Sequence, residues 1–193
     1  FLIKILIMKI LKYPFWCLWK IWFYVLVVSL ILLLLPILLV LTAKARWYRS
    51  LYWVVRHLWA TPILYGMGFW PKLKKARTIP DDEHSYMLIA NHYSMMDIML
   101  MLYVSKTPFV FVGKKELSKL PLFGYFYRRA AIMVDRKSSQ SRKEVYKQAM
   151  ERIAAGLSIR IFPEGGVPDD ESIVLDSFKD GAFRIAIECQ IPI

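Results

Sequence analysis

Two patterns of apolar residues divide this chain of 193 residues into an N-terminal and a C-terminal part. In the first part, residues 21–41 carry no charge and are interrupted only by Ser29 and Pro36. A helix of about 20 residues rises roughly 30 Å, which is the hydrocarbon thickness of a bilayer. The pattern therefore predicts a membrane-embedded helix, and it is longer than the core of a cleaved signal peptide.

A second helix is predicted over residues 47–60, where six apolar residues share one helical face: Trp47, Leu51, Val54, Val55, Leu58 and Trp59. A first helix that spans the bilayer is the default interpretation. In the alternative, the stripe forms a helix at the membrane interface, paired within one leaflet with a first helix that Pro36 bends. A third interpretation is that the stripe packs on the C-terminal part of the chain.

After Pro71 the pattern changes to a polar connector over residues 72–83, followed by strand-length apolar runs that alternate with helical patterns. We predict strands over residues 86–90, 109–112, 132–134, 159–162 and from 191 onward, and helices over 97–104, 139–155 and 178–188. This alternation is typical of an α/β fold with a mostly parallel sheet and flanking helices. We therefore expect a membrane segment over residues 1–70 and an α/β domain over residues 71–193, truncated at its C-terminus.

The net charge of +12 comes entirely from the N-terminal part. Residues 1–80 hold 12 Lys and Arg and no acidic residue, whereas residues 81–193 hold 15 basic and 15 acidic residues, which cancel. Cations interspersed with long apolar runs and tryptophans suit an anionic membrane surface and not nucleic acid. Two distant cysteines form no disulfide framework, which favours a reducing, cytoplasmic location for the C-terminal part.

Polar groups follow three of the predicted strands: Asn91-His92, Asp135-Arg136 and Glu164-Gly165. The carboxyl ends of parallel strands lie at one edge of a sheet, where functional loops gather. We therefore expect these loops to approach one another.

His92 and Asp97 are candidates for proton transfer. On one continuous helix, five residues would leave them roughly 140° apart, so the chain must turn between them. With Ser94 as the N-cap, Asp97 falls in the first helical turn and can hold one imidazole nitrogen, leaving the other to accept a proton. The unpaired N–H groups of that turn would stabilise a developing negative charge. The alternative is a capping Asp beside a half-buried histidine; the three histidines have no metal-ligand spacing, and no metal is expected.

Asn91-His92-Tyr93-Ser94-Met95-Met96-Asp97 resembles the N-H-x-x-x-x-D motif of the glycerolipid acyltransferases, specifically the lysophosphatidic acid acyltransferases. Further blocks follow in the family's order. Lys114-Lys115-Glu116-Leu117, Pro121-Leu122-Phe123-Gly124 and Met133-Val134-Asp135-Arg136 resemble the second block, Phe162-Pro163-Glu164-Gly165 the third and Ile191-Pro192-Ile193 the fourth. The resemblance covers roughly residues 86–193.

The resemblance implies that His92 and Asp97 form a catalytic dyad. His92 would take the proton from the free hydroxyl of lysophosphatidic acid, which attacks an acyl-carrier-protein or acyl-CoA thioester and gives phosphatidic acid for phospholipid biosynthesis. It implies no cofactor besides this co-substrate, and a membrane-bound enzyme whose catalytic domain faces the cytoplasm.

The resemblance also implies that Arg136, Glu164 and Gly165 line the phosphate site of the acceptor. The family's third block usually continues Thr-Arg, whereas this chain has Gly166-Val167-Pro168 followed by three acids. Lys179, Lys114 or Arg128 is expected to replace the missing cation. Two alternatives keep the thioester chemistry: another lysolipid acceptor such as an acylated amino acid, or hydrolysis by water. The intact His92 and Asp97 argue against a non-catalytic scaffold.

Overall fold

The computed structural model describes residues 2–74, 85–135, 138–168, 170 and 173–193, without the side chains of residues 2–12, 139 and 142. The predicted polar connector therefore lies, from residue 75 on, outside the described part of the chain.

The N-terminal part folds into two antiparallel helical runs, and we call residues 2–66 the helical hairpin. The first run consists of α1 (Leu2–Leu33) and α2 (Leu35–Leu41), and the second of a 3₁₀ turn (Ala45–Trp47), α3 (Tyr48–Val54), a π-helical turn (Val55–Ala60) and α4 (Thr61–Gly66). The runs meet where the indole N–H of Trp22 donates to the Gly66 carbonyl over 2.9 Å and that of Trp59 to the Val27 carbonyl over 3.3 Å. The predicted bend is confirmed as a break at Leu34, because Pro36 lies in the first turn of α2.

The second run packs on the C-terminal part through its apolar stripe. Leu51, Val54 and Trp59 are buried in one cluster with residues of the helix Met96–Val104 and with Phe109. The Tyr48 hydroxyl donates to the Phe109 carbonyl over 2.9 Å, which links α3 to the strand that begins there. Of the interpretations offered for this stripe, packing on the α/β part is therefore the one observed.

The outward face of α1 has no such cover. Within α1, the segment Tyr13–Leu33 is long and apolar enough to cross a membrane, judged by length and composition alone. Only 11% of its most apolar stretch is buried. Large apolar side chains such as Leu18, Tyr24 and Leu32 are more than half exposed.

The C-terminal part is built on a four-stranded sheet, which confirms the predicted α/β class. The strands β1 (Met87–Ile89), β2 (Phe109–Lys114), β3 (Ile132–Val134) and β4 (Ser158–Ile161) are all parallel and lie in the order β1-β4-β2-β3. Around them lie α5 (Met96–Val104), a 3₁₀ turn (Lys115–Lys119), α6 (Phe123–Ala130), α7 (Ser139–Ala154) and α8 (Gly181–Glu188).

Both faces of the sheet are covered by packed side chains. Successive residues of a strand point to opposite faces, so neighbouring positions of β2 pack in different clusters. Phe109 and Phe111 pack in the cluster that includes the helical hairpin and α5, whereas Val110 packs with α7 and α8. The sheet thus joins the helical hairpin to the rest of the domain.

Three expectations about elements are corrected by the structure. Residues 191–193 form no strand, because their backbone link to β1 is a single bond from the Met87 N–H to the Pro192 carbonyl over 2.8 Å. The helix expected from residue 178 begins at Gly181, since the Lys179 N–H donates to the Pro163 carbonyl and not within the helix. Helix α6 was not among the predicted elements, because its segment is rich in aromatic residues, which have modest helix propensity.

Candidate active site

The loop after β1 turns so that His92 faces Asp97, as the spacing predicts. One carboxylate oxygen of Asp97, Oδ2, lies 3.0 Å from Nδ1 of His92. The same oxygen accepts the backbone N–H groups of Tyr93 and Ser94, each over 2.7 Å. The two side chains are 12% and 20% exposed, so the pair is shielded from bulk water but not sealed off.

Ser94 closes the turn, but the N-cap of α5 is Met95, one residue after the predicted Ser94. The hydroxyl oxygen of Ser94 accepts the N–H of Met96 over 3.2 Å, and the Ser94 carbonyl accepts the N–H of Asp97 over 3.0 Å. These two N–H groups, like those of Tyr93 and Ser94, therefore have acceptors inside the loop. This contradicts the expectation that the first turn of the helix offers them to a developing negative charge.

Glu164 reaches the same loop from the neighbouring strand. It follows β4, which pairs with β1, and its Oε1 accepts the backbone N–H of His92 over 3.2 Å. The side chain is only 3% exposed, and its second oxygen, Oε2, has no hydrogen-bond donor among the described residues. A buried acceptor left unpaired costs about 1–3 kcal/mol, so Oε2 is a place where a substrate donor would be stabilised.

An aromatic stack supports the imidazole from the side of β4. The rings of His92 and Phe162 lie 4.1 Å apart between centroids and are inclined by only 15°. Behind Phe162, the ring of Phe111 lies at 6.0 Å and 21°. The Asp97 bond fixes one edge of the imidazole, and the stack fixes its plane.

A cavity of about 390 Å³ begins at His92 and is bounded by the helical hairpin as well as by the α/β part. His92, Gly165, Gly166 and Val167 line it together with Lys114, and its remaining wall is mostly apolar, including Ile31, Leu38, Leu51, Phe109, Phe123 and Phe126. This volume lies in the range of pockets that hold small ligands. Its composition suits a hydrocarbon chain.

Lys114 brings a cation to the third block. It is the last residue of β2, the other neighbour of β4. Its Nζ lies so close to Gly166 that a methyl group added there would stand 3.3 Å from it. Gly165 itself has φ +90°, a left-handed conformation that favours glycine at the turn after Glu164.

The other candidate cations divide into three cases. Lys179 has an exposed side chain, and its backbone N–H donates to the Pro163 carbonyl over 3.0 Å, beside the third block. Arg128 donates to the Ser118 carbonyl and does not line this cavity. Arg136 lies outside the described residues, and its predicted role stays a prediction.

Two of the three strand-end loops are thus in contact, those of His92 and of Glu164. The third follows β3, the edge strand, and is described only as far as Asp135. The contact of Phe162 with His92 was missed, although its position at the end of a predicted strand was a usable signal. Within the described ranges, no three His, Cys, Asp or Glu side chains cluster as metal ligands would, and the expectation of a metal-free site stays untested.

Comparison with known proteins identifies the family. A family model described as Acyltransferase matches residues 71–193, so the chain belongs to this acyltransferase family. The chain is 32% identical over 154 residues to the 1-acyl-sn-glycerol-3-phosphate acyltransferase of Haemophilus influenzae, a match covering 77% of this chain and 57% of that protein. It is 26% identical over 149 residues to the chloroplastic enzyme BAT2 of the same name from Brassica napus, covering 77% of this chain and 42% of that protein.

The fold also has a solved counterpart. The crystal structure of the 1-acyl-sn-glycerophosphate (LPA) acyltransferase PlsC from Thermotoga maritima superposes with a TM-score of 0.71 at 22% identity, covering 91% of this chain and 70% of that one. This likeness concerns the fold. The chain spans about half the length of the curated relatives it matches.

Proposed function

We propose that this protein transfers a fatty acyl group from an acyl thioester to the free hydroxyl of lysophosphatidic acid. The observation that carries the proposal is the His92–Asp97 pair, held at the wall of an apolar cavity and beside a buried carboxylate. The names of the relatives add support, because each refers to a 1-acyl-sn-glycerol-3-phosphate acyltransferase.

The chemistry follows from the hydrogen bonds of the imidazole. A carboxylate at Nδ1 keeps the proton on that nitrogen, so Nε2 carries the lone pair. In the proposed reaction, Nε2 removes the proton of the acceptor hydroxyl while the oxygen attacks the thioester carbonyl. The carbon–sulfur bond then breaks, and the leaving thiolate takes the proton from the imidazolium. A thioester is already activated, so a covalent enzyme intermediate is not needed.

Glu164 is suited to orienting the acceptor. Its Oε1 is occupied by the N–H of His92, whereas its buried Oε2 is available to a glycerol hydroxyl. An anion at this position would repel phosphate, which must therefore bind at cations further out. We assign the phosphate to Lys114, next to Gly166, with Arg136 and Lys179 as additional ligands implied by the sequence.

The donor and the location complete the proposal. The acyl chain would occupy the apolar cavity, its thioester being carried by an acyl carrier protein or by CoA. The exposed apolar face of α1 would lie in the membrane, with residues 1–70 as the membrane segment and residues 71–193 as the catalytic domain on the cytoplasmic side. Because the second run of the helical hairpin packs on the domain, we favour insertion of α1 into one leaflet over a full crossing.

A second acceptor class has one observation in its favour. Where the family has Thr-Arg, this chain has Gly166 and Val167, and both line the cavity. An apolar side chain there suits a lysolipid without phosphate, such as an acylated amino acid.

An acylation assay of the full-length protein against a panel of lysolipids decides between these acceptors. We expect lysophosphatidic acid to be preferred, and Lys114→Gln to lower kcat/KM for it about 10- to 100-fold, the effect of a lost hydrogen bond to a charged group. Lys115→Gln, which removes the next cation along the chain and does not line the cavity, is the matched control. Preference for a phosphate-free lysolipid that is unchanged in Lys114→Gln would favour the second acceptor, and turnover without any acceptor would indicate a thioester hydrolase.

A further inference from the structure

A second cleft of about 190 Å³ lies between the turn of the helical hairpin and the ends of α6 and α7. It shares Thr42, Tyr48 and Leu51 with the wall of the main cavity. Four cations line it, and we call it the cationic cleft: Lys44, Arg128, Arg129 and Arg152, together with Leu41, Thr42, Ala45, Tyr48 and Leu51. In the described part of the chain, no acidic residue lines it.

These cations have no acidic partner in the part of the chain that the structure describes. Among the described residues, none of the four lies within ion-pair distance of a carboxylate. The guanidinium of Arg129 lies over the ring of Tyr125 at 3.7 Å, and that of Arg152 over the ring of Tyr48 at 5.6 Å. Like charges gathered in one cleft repel one another, and a bound anion relieves this repulsion.

The cationic cleft is remote from the His92–Asp97 pair. The Tyr48 hydroxyl, which lines the cleft, is within hydrogen-bond distance of the carbonyls of Phe109, the first residue of β2, and Ala130, which precedes β3. The cleft therefore lies at the amino edge of the sheet, whereas His92 lies at the carboxyl edge. The strand β2 has six residues, so about 20 Å separates the two edges.

Apolar surface adjoins the cationic cleft on the side of the helical hairpin. Leu39 and Val40, just before the cleft residue Leu41, are 43% and 57% exposed at the end of α2. Exposed aliphatic side chains lie here next to cations that have no acidic partner among the described residues. This combination matches the boundary of a bilayer, where the hydrocarbon region meets a layer of phosphates.

From these observations we propose that the cationic cleft binds the phosphate headgroup of an anionic membrane phospholipid. Arg129 and Arg152 would hold the phosphate by paired hydrogen bonds, as guanidinium groups do. The bound lipid is distinct from the acceptor and the donor, so the proposal does not depend on the reaction assigned to His92.

The test measures the binding of phosphatidylglycerol to the full-length protein in neutral detergent micelles. We expect Arg129→Gln/Arg152→Gln to weaken binding about 25-fold, because each cation beside an anionic lipid surface contributes about fivefold. Arg129→Lys/Arg152→Lys keeps the charge and should bind within about threefold of wild type. Lys143→Gln/Lys147→Gln removes two exposed charges from α7 outside the cleft and is the matched control.

Two further arms separate this site from others. Lys114→Gln should leave phosphatidylglycerol binding unchanged; equal losses in Lys114→Gln and in the Arg129 and Arg152 pair would show that the lipid occupies the main cavity and overturn the proposal. Equal losses in the α7 control would reduce the effect to diffuse charge and overturn it as well. If the Gln pair instead loses only the binding of an acidic carrier protein, the cleft is a protein-docking surface and not a lipid site.

Discussion

Asp97 accepts three hydrogen bonds on one carboxylate oxygen, from Nδ1 of His92 and from two backbone N–H groups. Three donors on one oxygen prevent rotation of the side chain and hold it against the imidazole. We predict that His92→Ala lowers kcat by about 10²–10⁴, the usual effect of losing a general base. Asp97→Asn should be similarly damaging, because an amide no longer fixes the tautomer. Near wild-type kcat in either variant, with an unchanged melting temperature, would remove the pair from the mechanism.

Phe162 stacks on His92 and is therefore a positioning residue, which would act on the reaction through the imidazole. We expect Phe162→Leu to lower kcat about tenfold with little change in KM, because the imidazole loses the ring that fixes its plane. Phe162→Tyr keeps the ring and should restore kcat. Steady-state kinetics of both variants provides the check; an equal loss in Phe162→Tyr, or a loss confined to KM, would assign Phe162 to packing or to substrate binding.

The contacts of His92 with Asp97 and with Phe162 differ in how far the sequence predicts them. The contact of His92 with Asp97 depends on a five-residue turn, so its geometry is local and follows from spacing and a cap. The stack on Phe162 depends on β4 lying next to β1, and strand order is set by packing across the whole sheet. For the same reason, the sequence makes Lys114 a candidate cation but does not place its ammonium group beside Gly166.

At the scale of elements, α5 joins the His92–Asp97 pair to the helical hairpin. Asp97 lies in its first turn, and the carbonyls of its last turn and of Ser105 accept bonds from α3 and the π-helical turn. The Tyr52 hydroxyl donates to the Ser105 carbonyl over 3.0 Å, and Arg56 donates to the Tyr103 carbonyl over 3.1 Å. An anion at the start and a cation at the end both complement the helix dipole.

Arg160 adds a second cation at this end of α5. It is 5% exposed and donates to the Ser105 hydroxyl over 2.9 Å. Burial lowers the pKa of Arg160 to about 10. Because the pKa of the folded state lies below that of the unfolded chain, the charged form costs stability at neutral pH, and the cost is relieved as the pH rises through about 10. The favourable contacts of this residue must offset that cost.

The Tyr52 bond provides a test at this scale. Burial raises the pKa of Tyr52 above its ordinary value, so its hydroxyl remains a donor at neutral pH. We predict that Tyr52→Phe lowers the free energy of unfolding by about 0.5–1.5 kcal/mol, the net contribution of one buried hydrogen bond. Denaturant titration measures it, with the exposed Tyr24→Phe as the control. Equal stability of the two variants would show that the Tyr52 bond contributes no stability at the end of α5.

The elements were predicted unevenly for a physical reason. Strands β1 to β4 and helix α7 carry strong apolar periodicity, so their existence follows from the sequence. Residues 191–193 have the composition of a strand, but within the described residues they contact β1 through one backbone bond. Composition does not supply a hydrogen-bonding partner.

At the scale of the whole molecule, the attachment to lipid should be mainly hydrophobic, so that it persists when electrostatic attraction is screened. The exposed face of α1 is apolar, and burial of such a surface is little affected by salt, whereas charge attraction is screened within about 8 Å at physiological ionic strength. We predict that washing membranes with concentrated salt or with alkaline carbonate leaves the protein in the pellet. Quantitative release by either wash, measured by sedimentation, would contradict a membrane-embedded α1.

Which face of the helical hairpin packs on the α/β part was not predictable from the sequence. An apolar stripe over residues 47–60 suits lipid hydrocarbon and a protein interior equally, since both are apolar. The burial of Leu51, Val54 and Trp59, together with the bonds from the second run to carbonyls of the α/β part, shows that this face is internal.

The main cavity is walled by residues from both parts of the chain, Ile31 and Leu38 on one side and Phe109 and Phe126 on the other. The size of the cavity therefore depends on how the helical hairpin and the α/β part pack against each other. Substitutions at Ile31 or Leu38 would alter the room for a fatty chain while leaving His92 and its partners untouched. Under the proposed function, chain-length preference and catalysis would thus depend on different residues, although both use one continuous cavity.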